Sequence, residues 1–294
     1  MGALELNESI LPEIKSSFGS FGNITALQEL EGIPITGVLG DQQAASFGLG
    51  CFKKGNIKST FGTGTFLLMN NGEVANQVPE GLLSTVLWKN QNEKTVYGVE
   101  GACESGASNL LWLKNNLKMF DNFKEMDEKL QKSQITNRDL IFVPSFSGMF
   151  APYWESRTKG VLKGVTFETE PVDIYRAMLE GIAFRTSDCY DLLRKHYGNK
   201  TNFTMVCDGG VSENEYLMQF IANMMKLPIS VSSYQDCTPL GVALGSGLGV
   251  GFYKDLAELE KLIPKSRFVD KNEDLEYLYQ KYTVAREVAL NDEK

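Results

Sequence analysis

The chain has 294 residues, 43% of them hydrophobic, and a formal net charge of −8. This length and composition are sufficient for one large globular domain or two small ones with a real core. The acidic balance argues against a nucleic-acid or anionic-membrane partner, because such partners bind basic surfaces, and it leaves small neutral or metal-shielded anionic ligands open.

Strands and helices alternate in the first half of the chain. In chain order we predict a short buried strand in residues 33–40, a hairpin of residues 56–62 and 65–70, a strand in 94–100, a helix over 105–120 and a strand in 139–146. Residues 119–139 are polar and charged, and we expect a surface helix and loop whose charges face solvent.

The longest predicted helix covers residues 170–198. Ile174, Met178, Ile182 and Cys189 would form its apolar face, and Gly198 its carboxyl-terminal cap.

The second half continues the alternation. We predict a buried strand in 203–210, a helix over 212–226 opened by a Ser212–Glu215 capping box, a strand in 228–233, a helix in 239–253 with a ridge of Gly241, Gly245 and Gly249, and a charged helix in 272–290. The whole pattern predicts an α/β fold with a mostly parallel core sheet and an early hairpin.

Three candidate sites lie where predicted strands end. Asp41 follows residues 33–40, where α/β proteins place ligands, although it could equally cap the helix that follows. The glycines of Gly62-Thr63-Gly64-Thr65 let backbone approach an anion and the threonines add hydroxyls, although an ordinary hairpin turn is the alternative. Asp208-Gly209-Gly210 precedes a helix and suits phosphate oxygens, although two glycines alone are a weak signal.

Several familiar motifs are absent. The sequence contains neither a P-loop nor a GxGxxG fingerprint. Its single histidine, His196, argues against a histidine metal centre and a serine or cysteine triad, and we expect it at the surface near a helix end. A carboxylate and two glycine turns suit phosphoryl transfer, which needs mostly positioning and charge stabilisation.

The five cysteines are widely spread and contain no CxxC pair. We therefore expect free thiols in a reducing cytosol. The amino-terminal residues lack the pattern of a signal or transit peptide, and no segment is long and apolar enough to span a bilayer. These features predict a cytoplasmic location.

Several segments resemble, in the same order, the carboxyl-terminal lobe of the FGGY family of carbohydrate kinases, and its glycerol kinases in particular. They are GDQQAASFG, STFGTGTFLLMNNG, APYW and VCDGGVSENEYLMQF, together with the paired signature in residues 160–165 and 173–180. The resemblance covers roughly residues 5 to 255, and its strength lies in several modest motifs in register.

The resemblance implies an actin-like ATPase (ribonuclease-H-like) lobe, with a central mixed sheet flanked by helices. It divides the chain into residues 1–30, the end of an amino-terminal lobe; 31–262, the nucleotide-binding lobe; and 263–294, a helical extension. The implied reaction is phosphorylation of glycerol by ATP with Mg²⁺, giving sn-glycerol 3-phosphate. Another FGGY sugar kinase and a non-catalytic nucleotide-binding or assembly module are the alternatives, and the sequence leaves open whether the chain forms a homo-oligomer.

Individual residues acquire roles through the same resemblance. Asp41 would be the catalytic base and, with Gln42 and Phe66, would bind glycerol. The implied ATP contacts are Gly62, Thr63, Gly64 and Thr65 at the phosphates, with Gly106, Gly210 and Asn214 around the adenosine. No metal-binding residue is implied.

The chain departs from the family pattern in two ways. Leu111 precedes Trp112 where glycerol kinases usually have a nucleotide-binding glutamine, and Asn109 is the nearest amide. The amino-terminal lobe, with its own phosphate loop and glycerol-binding side chains, is not recognisable. Because half a cleft cannot clamp both substrates, we expect little activity from the chain alone.

Overall fold

The computed structural model describes residues 7–75, 78–91, 93–134, 137–198 and 201–291. Within them, seven strands form one sheet in the order β3-β4-β2-β1-β7-β8-β9. These strands are β1 (Asn56–Phe61), β2 (Thr65–Gly72), β3 (Leu83–Trp88), β4 (Val96–Cys103), β7 (Thr204–Asp208), β8 (Ile229–Ser232) and β9 (Ser266–Val269). A separate antiparallel pair contains β5 (Ile141–Val143) and β6 (Val161–Lys163).

Helices flank the sheet on both faces. They are α1 (Asp41–Gly48), α2 (Ala107–Asn115), α3 (Phe123–Lys132), α4 (Pro171–Tyr197), α5 (Glu215–Met225), α6 (Thr238–Gly249), α7 (Leu256–Glu260) and α8 (Glu276–Asn291). The larger core cluster draws on α4, α5 and α8, whereas a second cluster lies between the sheet and helices α1, α6 and α7. This arrangement confirms a mixed sheet flanked by helices.

The sheet is less parallel than the alternation of elements predicted. Among the described strands of this sheet, β1–β7 and β7–β8 are parallel, and the other four pairings are antiparallel. The difference arises because the β1–β2 hairpin continues into β4 and β3, and because β9 returns antiparallel beside β8. Neither β3 nor β9 was predicted.

The long helix α4 is confirmed as predicted. Met178, Ile182 and Cys189 are fully buried on its inner face, and Ile174 packs at its edge. Gly198 ends the helix with φ of 57°, a conformation that favours glycine.

The glycine ridge of α6 is also confirmed. A Cβ at Gly241 would overlap the Ala44 carbonyl oxygen of α1, and one at Gly245 would overlap the Phe18 ring. The missing side chains therefore allow α1 and α6 to pack backbone against backbone.

The predicted buried strand in 33–40 is wrong. This segment forms no regular strand: it pairs irregularly with residues 17–24 through backbone hydrogen bonds and two isolated bridges, from Gly37 to Phe18 and from Pro34 to Asn23. Ile33, Ile35 and Val38 are exposed, because no neighbouring strand among the described residues covers them. Asp41 therefore follows an irregular surface segment.

Two further local predictions need correction. Helix α5 is capped by Asn214, whose side chain accepts from the Leu217 N–H, while Ser212 donates back to the Gly209 carbonyl in a preceding 3₁₀ turn.

Helix α3 is not simply a solvated segment, because Met126 and Leu130 are buried in the main core. The division into residues 1–30, 31–262 and 263–294 stays a prediction.

Candidate functional site

The β1–β2 turn is held tightly from within the protein. The Gly62 N–H donates to the Gly64 carbonyl at 3.0 Å, and a Cβ at Gly64 would lie 2.6 Å from the Cys103 carbonyl oxygen. Thr65 is buried and its hydroxyl donates to the Ser105 carbonyl at 2.7 Å. Thr63 is exposed and is therefore the threonine of this turn that faces outward.

The start of α2 supports the same turn. The Ala107 N–H donates to the Gly62 carbonyl at 2.8 Å, and the Ser108 hydroxyl donates to the Thr63 carbonyl at 2.5 Å. Gly106 allows this approach, since a Cβ there would lie 2.6 Å from the Gly62 carbonyl oxygen. Asn109 is buried and accepts from the Gly106 N–H at 2.8 Å, so its amide stabilises the turn from behind.

A cavity of about 850 Å³ opens beside this turn. Its walls come from β1, α2, α3, α4 and the 3₁₀ turn after β7, and the lining residues are Phe61, Gly62, Thr63, Ala107, Leu110, Leu111, Phe123, Lys124, Asp127, Glu128, Gln131, Tyr175, Gly210, Val211, Glu213 and Asn214. Much of the wall is apolar and backbone groups of the turn lie at its edge, which suits a flat ligand with a polar tail.

Four of the predicted ATP-binding residues line this cavity: Gly62, Thr63, Gly210 and Asn214. Gly106 lies directly behind the turn. Leu111 is 43% exposed and presents an alkyl group to the cavity, so the position before Trp112 contributes apolar contact rather than an amide.

Helix α3 adds a group that the sequence did not predict. The Asp127 carboxylate accepts from the Tyr175 hydroxyl and from the Asn214 side-chain amide, both at 2.7 Å. Burial raises the pKa of Asp127, and these two hydrogen bonds oppose that shift. The spacing of Phe123, Met126 and Leu130 could have revealed a helix with one buried face, which places Asp127 at the boundary of that face.

A second polar group surrounds Lys58, in the middle of β1. Asp41 is exposed in the first turn of α1, where its carboxylate accepts from the Gln42 N–H at 2.7 Å. The Gln42 side-chain oxygen accepts from the ammonium of Lys58, which also lies 3.5 Å from the Phe66 carbonyl oxygen. The structure thus brings the three predicted glycerol-binding residues around Lys58, which the sequence did not single out.

Lys58 is fully buried although it carries a charge. Burial lowers its pKa to about 8, and the acidic groups of Asp208, Glu100 and Asp41 partly oppose that shift. Asp208 accepts from the Thr60 hydroxyl at 2.5 Å, and burial raises the pKa of this carboxyl. A lysine inside an otherwise strand-like NIKSTF was the available signal.

The two groups share strand β1. Lys58 and Gly62 are four positions apart, which corresponds to about 13 Å along an extended strand. Because side chains alternate between the two faces of a strand, Lys58 points to the α1 side of the sheet and Phe61, which lines the cavity, to the other side. The cavity and the Asp41 group are therefore connected through β1, and the Thr60–Asp208 hydrogen bond lies beside Lys58.

The described residues contain neither a metal-binding cluster nor a membrane-spanning helix. In those ranges no group of three or more His, Cys, Asp and Glu side chains is arranged to hold a metal ion. Likewise, no helix in the described ranges combines the length and apolar character that a membrane span requires.

A protein-family model for the carboxyl-terminal domain of the FGGY family of carbohydrate kinases matches residues 57–248. The chain belongs to this family. The match includes the β1–β2 turn and the Asp208-Gly209-Gly210 segment, and it confirms the resemblance to the carboxyl-terminal lobe.

The chain is also similar to individual FGGY proteins. It is 39% identical to the glycerol kinase of Corynebacterium kroppenstedtii, over 88% of this chain and 50% of that protein. For the glycerol kinase of Mycoplasma genitalium the identity is 38%, over 88% of this chain and 51% of that protein. The chain thus spans about half the length of the curated relatives it matches.

Solved structures agree with the family. The crystal structure of Plasmodium falciparum glycerol kinase with ADP matches with a TM-score of 0.88 and 37% identity, covering 97% of this chain and 57% of that one. A xylulose kinase from Rhodospirillum rubrum, at 17% identity and a TM-score of 0.82, covers 100% of this chain and 60% of that one. The second similarity concerns the fold alone. Together these matches confirm the fold class predicted from the sequence, whereas the roles of the site residues stay predictions.

Proposed function

We propose that this FGGY domain is the nucleotide-binding half of a kinase that phosphorylates glycerol to sn-glycerol 3-phosphate with ATP. The observation that carries the proposal is the arrangement along β1, where the 850 Å³ cavity borders the Gly62–Gly64 turn and the Asp41 group surrounds Lys58, four positions before Gly62. Such an arrangement suits in-line transfer between a nucleotide and an alcohol, which depends mainly on positioning. The glycerol kinases among the relatives favour glycerol as the acceptor.

Each site residue has a role in this proposal. The exposed Asp41 carboxylate would orient the acceptor hydroxyl and take its proton. Gln42 and Phe66 would bind the polyol beside it. The Gly62-Thr63-Gly64-Thr65 turn, supported by Gly106, would approach the phosphates, while Gly210 and Asn214 would border the adenosine.

Mg²⁺ enters the proposal as part of the MgATP substrate. The described residues contain no three-ligand metal cluster, so the phosphate oxygens would supply most of the coordination. We also place the reaction in cytoplasmic glycerol metabolism. All five cysteines are free and buried, which is typical of a reducing compartment.

The proposal also requires a second lobe, corresponding to the part of the relatives' length that this chain does not match. Residues 10–38 expose several large apolar side chains, among them Ile10, Ile14 and Val38 at 62%, 97% and 51%. An amino-terminal lobe on this side would cover them and close the acceptor site from water. We therefore expect the chain alone to turn over slowly or not at all.

The test measures glycerol-dependent formation of ADP. The chain alone is compared with a protein extended through any upstream coding sequence, each with the native residue and with Asp41→Asn. We expect turnover from the extended protein and a loss of at least about 100-fold in kcat for Asp41→Asn, because a general base contributes roughly that much. Asp121→Asn, an exposed residue outside the cavity, is the matched control and should change nothing.

Other outcomes distinguish the alternatives. Wild-type turnover by Asp41→Asn would refute its role as the base. A preference for a sugar over glycerol would favour another FGGY kinase, and nucleotide binding without turnover by the extended protein would favour a non-catalytic module.

A further inference from the structure

One side of the 850 Å³ cavity carries a pair of polar side chains remote from the glycine turn. Asp127 and Asn214 line both this cavity and an adjoining one of about 210 Å³, whereas Gly62 and Thr63 line only the larger one. A nucleotide whose phosphates lie at the turn would therefore extend its base toward Asp127 and Asn214. This step rests on the proposed function, since it requires a nucleotide in the cavity.

The orientation of the Asn214 amide is fixed by its two partners. Its oxygen accepts from the Leu217 N–H at 2.8 Å as the cap of α5, so its nitrogen must be the atom that donates to Asp127. One hydrogen of that NH₂ group is used by Asp127, and the other is directed elsewhere.

The two oxygens of the Asp127 carboxylate also differ in their hydrogen-bond partners. One oxygen, Oδ1, accepts from both the Tyr175 hydroxyl and the Asn214 amide. Within the described ranges no hydrogen bond reaches the second oxygen. Because both residues line the cavity, Asp127 Oδ2 is available to accept from a ligand there and the remaining N–H of Asn214 is available to donate.

An acceptor beside a donor complements one edge of adenine. The exocyclic 6-amino group donates, and the adjacent ring nitrogen accepts, in the way that paired polar groups read adenine elsewhere. Hypoxanthine and guanine carry a carbonyl oxygen at position 6, which would face the carboxylate with two acceptors opposed.

We propose that Asp127 is a specificity-determining residue that, together with Asn214, selects adenine over 6-oxopurines. Tyr175 acts as a positioning residue, because its hydroxyl holds the carboxylate in place.

The test measures the affinities of the full chain for ADP and for inosine diphosphate (IDP) by calorimetry. We expect the native chain to bind ADP at least about tenfold more tightly than IDP, the discrimination typical of one paired contact. In Asp127→Asn the side-chain oxygen can keep both internal hydrogen bonds while its NH₂ replaces Oδ2. The ratio of the two affinities should therefore fall by at least about tenfold.

A matched control lies on the same helix. Glu125→Gln removes the same charge from α3 at an exposed position outside the cavity, and it should leave both affinities unchanged. If Asp127→Asn does not fold, as judged by circular dichroism, the affinities of Tyr175→Phe for ADP and IDP are measured instead. That variant should lower the ratio in the same direction by a smaller factor, because the carboxylate loses one of its two donors.

The remaining outcomes overturn the inference. Equal losses for ADP and IDP would place the carboxylate on the ribose or the phosphates. An unchanged ratio would remove Asp127 from base recognition while leaving nucleotide binding intact, and absence of any ADP binding by the native chain would overturn the proposed function as well.

Discussion

At the scale of single residues, Lys58 is the most costly feature of the site. A buried ammonium loses its hydration, and the nearby carboxylates of Asp208 and Glu100 compensate only in part, as the lowered pKa of about 8 indicates. Its hydrogen bonds to Gln42 and to the Phe66 carbonyl join α1 to the hairpin. The residue therefore orders the predicted acceptor site at a cost in stability.

This cost predicts a pH dependence. The pKa of Lys58 is lower in the folded chain, about 8, than the ordinary 10.5, so between these values the unfolded chain binds the extra proton. The free energy of unfolding should then rise with pH across that window, by about 3 kcal/mol. Lys58→Met should lack this rise, and the difference between the two proteins in urea unfolding at pH 7.5 and 10 measures it. Parallel pH dependences would contradict the lowered pKa.

At the scale of elements, the contact between α1 and α6 depends on missing side chains. Gly241 meets the Ala44 carbonyl, and Gly48 of α1 meets the Cys237 carbonyl from the opposite direction. Because α1 begins with Asp41 and Gln42, the depth at which it packs on α6 sets where those side chains lie relative to β1.

Gly241→Ala should therefore lower the free energy of unfolding by about 3 kcal/mol, since a Cβ would overlap backbone that cannot rotate away. Gly247→Ala is the matched control in the same helix, where the added Cβ meets only the Tyr253 ring, which can move. That variant should stay within about 1 kcal/mol of the native chain, as helix propensity favours alanine. Thermal or urea unfolding of both variants gives the comparison, and equal effects would refute the packing argument.

At the scale of the whole molecule, a buried ion cluster connects parts that are distant in the sequence. Arg185 of α4 pairs with Glu104, just after β4, at 3.1 Å and with Asp188 at 2.9 Å. Arg286 of α8 pairs with the same Asp188 at 2.7 Å, and the hydroxyl of Tyr279 donates to it at 2.7 Å. The loop that carries Gly106 is thereby anchored to α4 and α8.

Asp188→Asn should lower the free energy of unfolding by about 3 to 5 kcal/mol, because it leaves two buried guanidinium groups without their shared carboxylate. Asp139→Asn makes the same change in an exposed ion pair with Lys281, 2.5 Å away, and should cost less than about 1 kcal/mol. Urea unfolding of the two variants tests this contrast. A loss of similar size in both would show that burial of the cluster is not what matters.

The sequence by itself determined the elements whose signals are local. The Gly62-Thr63-Gly64 turn, the apolar face of α4, its Gly198 cap and the glycines of α6 follow from backbone conformation and periodicity within a few residues. The motifs, in their order along the chain, were sufficient to predict the family and its mixed sheet, because they combine many such local constraints.

Only the tertiary structure decided which side chains meet. Residues 33–40 look like a buried strand but lack a covering neighbour, and α5 took Asn214 as its cap because Ser212 bonds to the preceding turn. Asp127 became part of the cavity wall because Met126 and Leu130 draw α3 into the core, and Lys58 became a site residue because Gln42 and Phe66 pack over it. The physical reason is that burial and hydrogen-bond partners depend on contacts across tens of residues, which neither propensity nor spacing encodes.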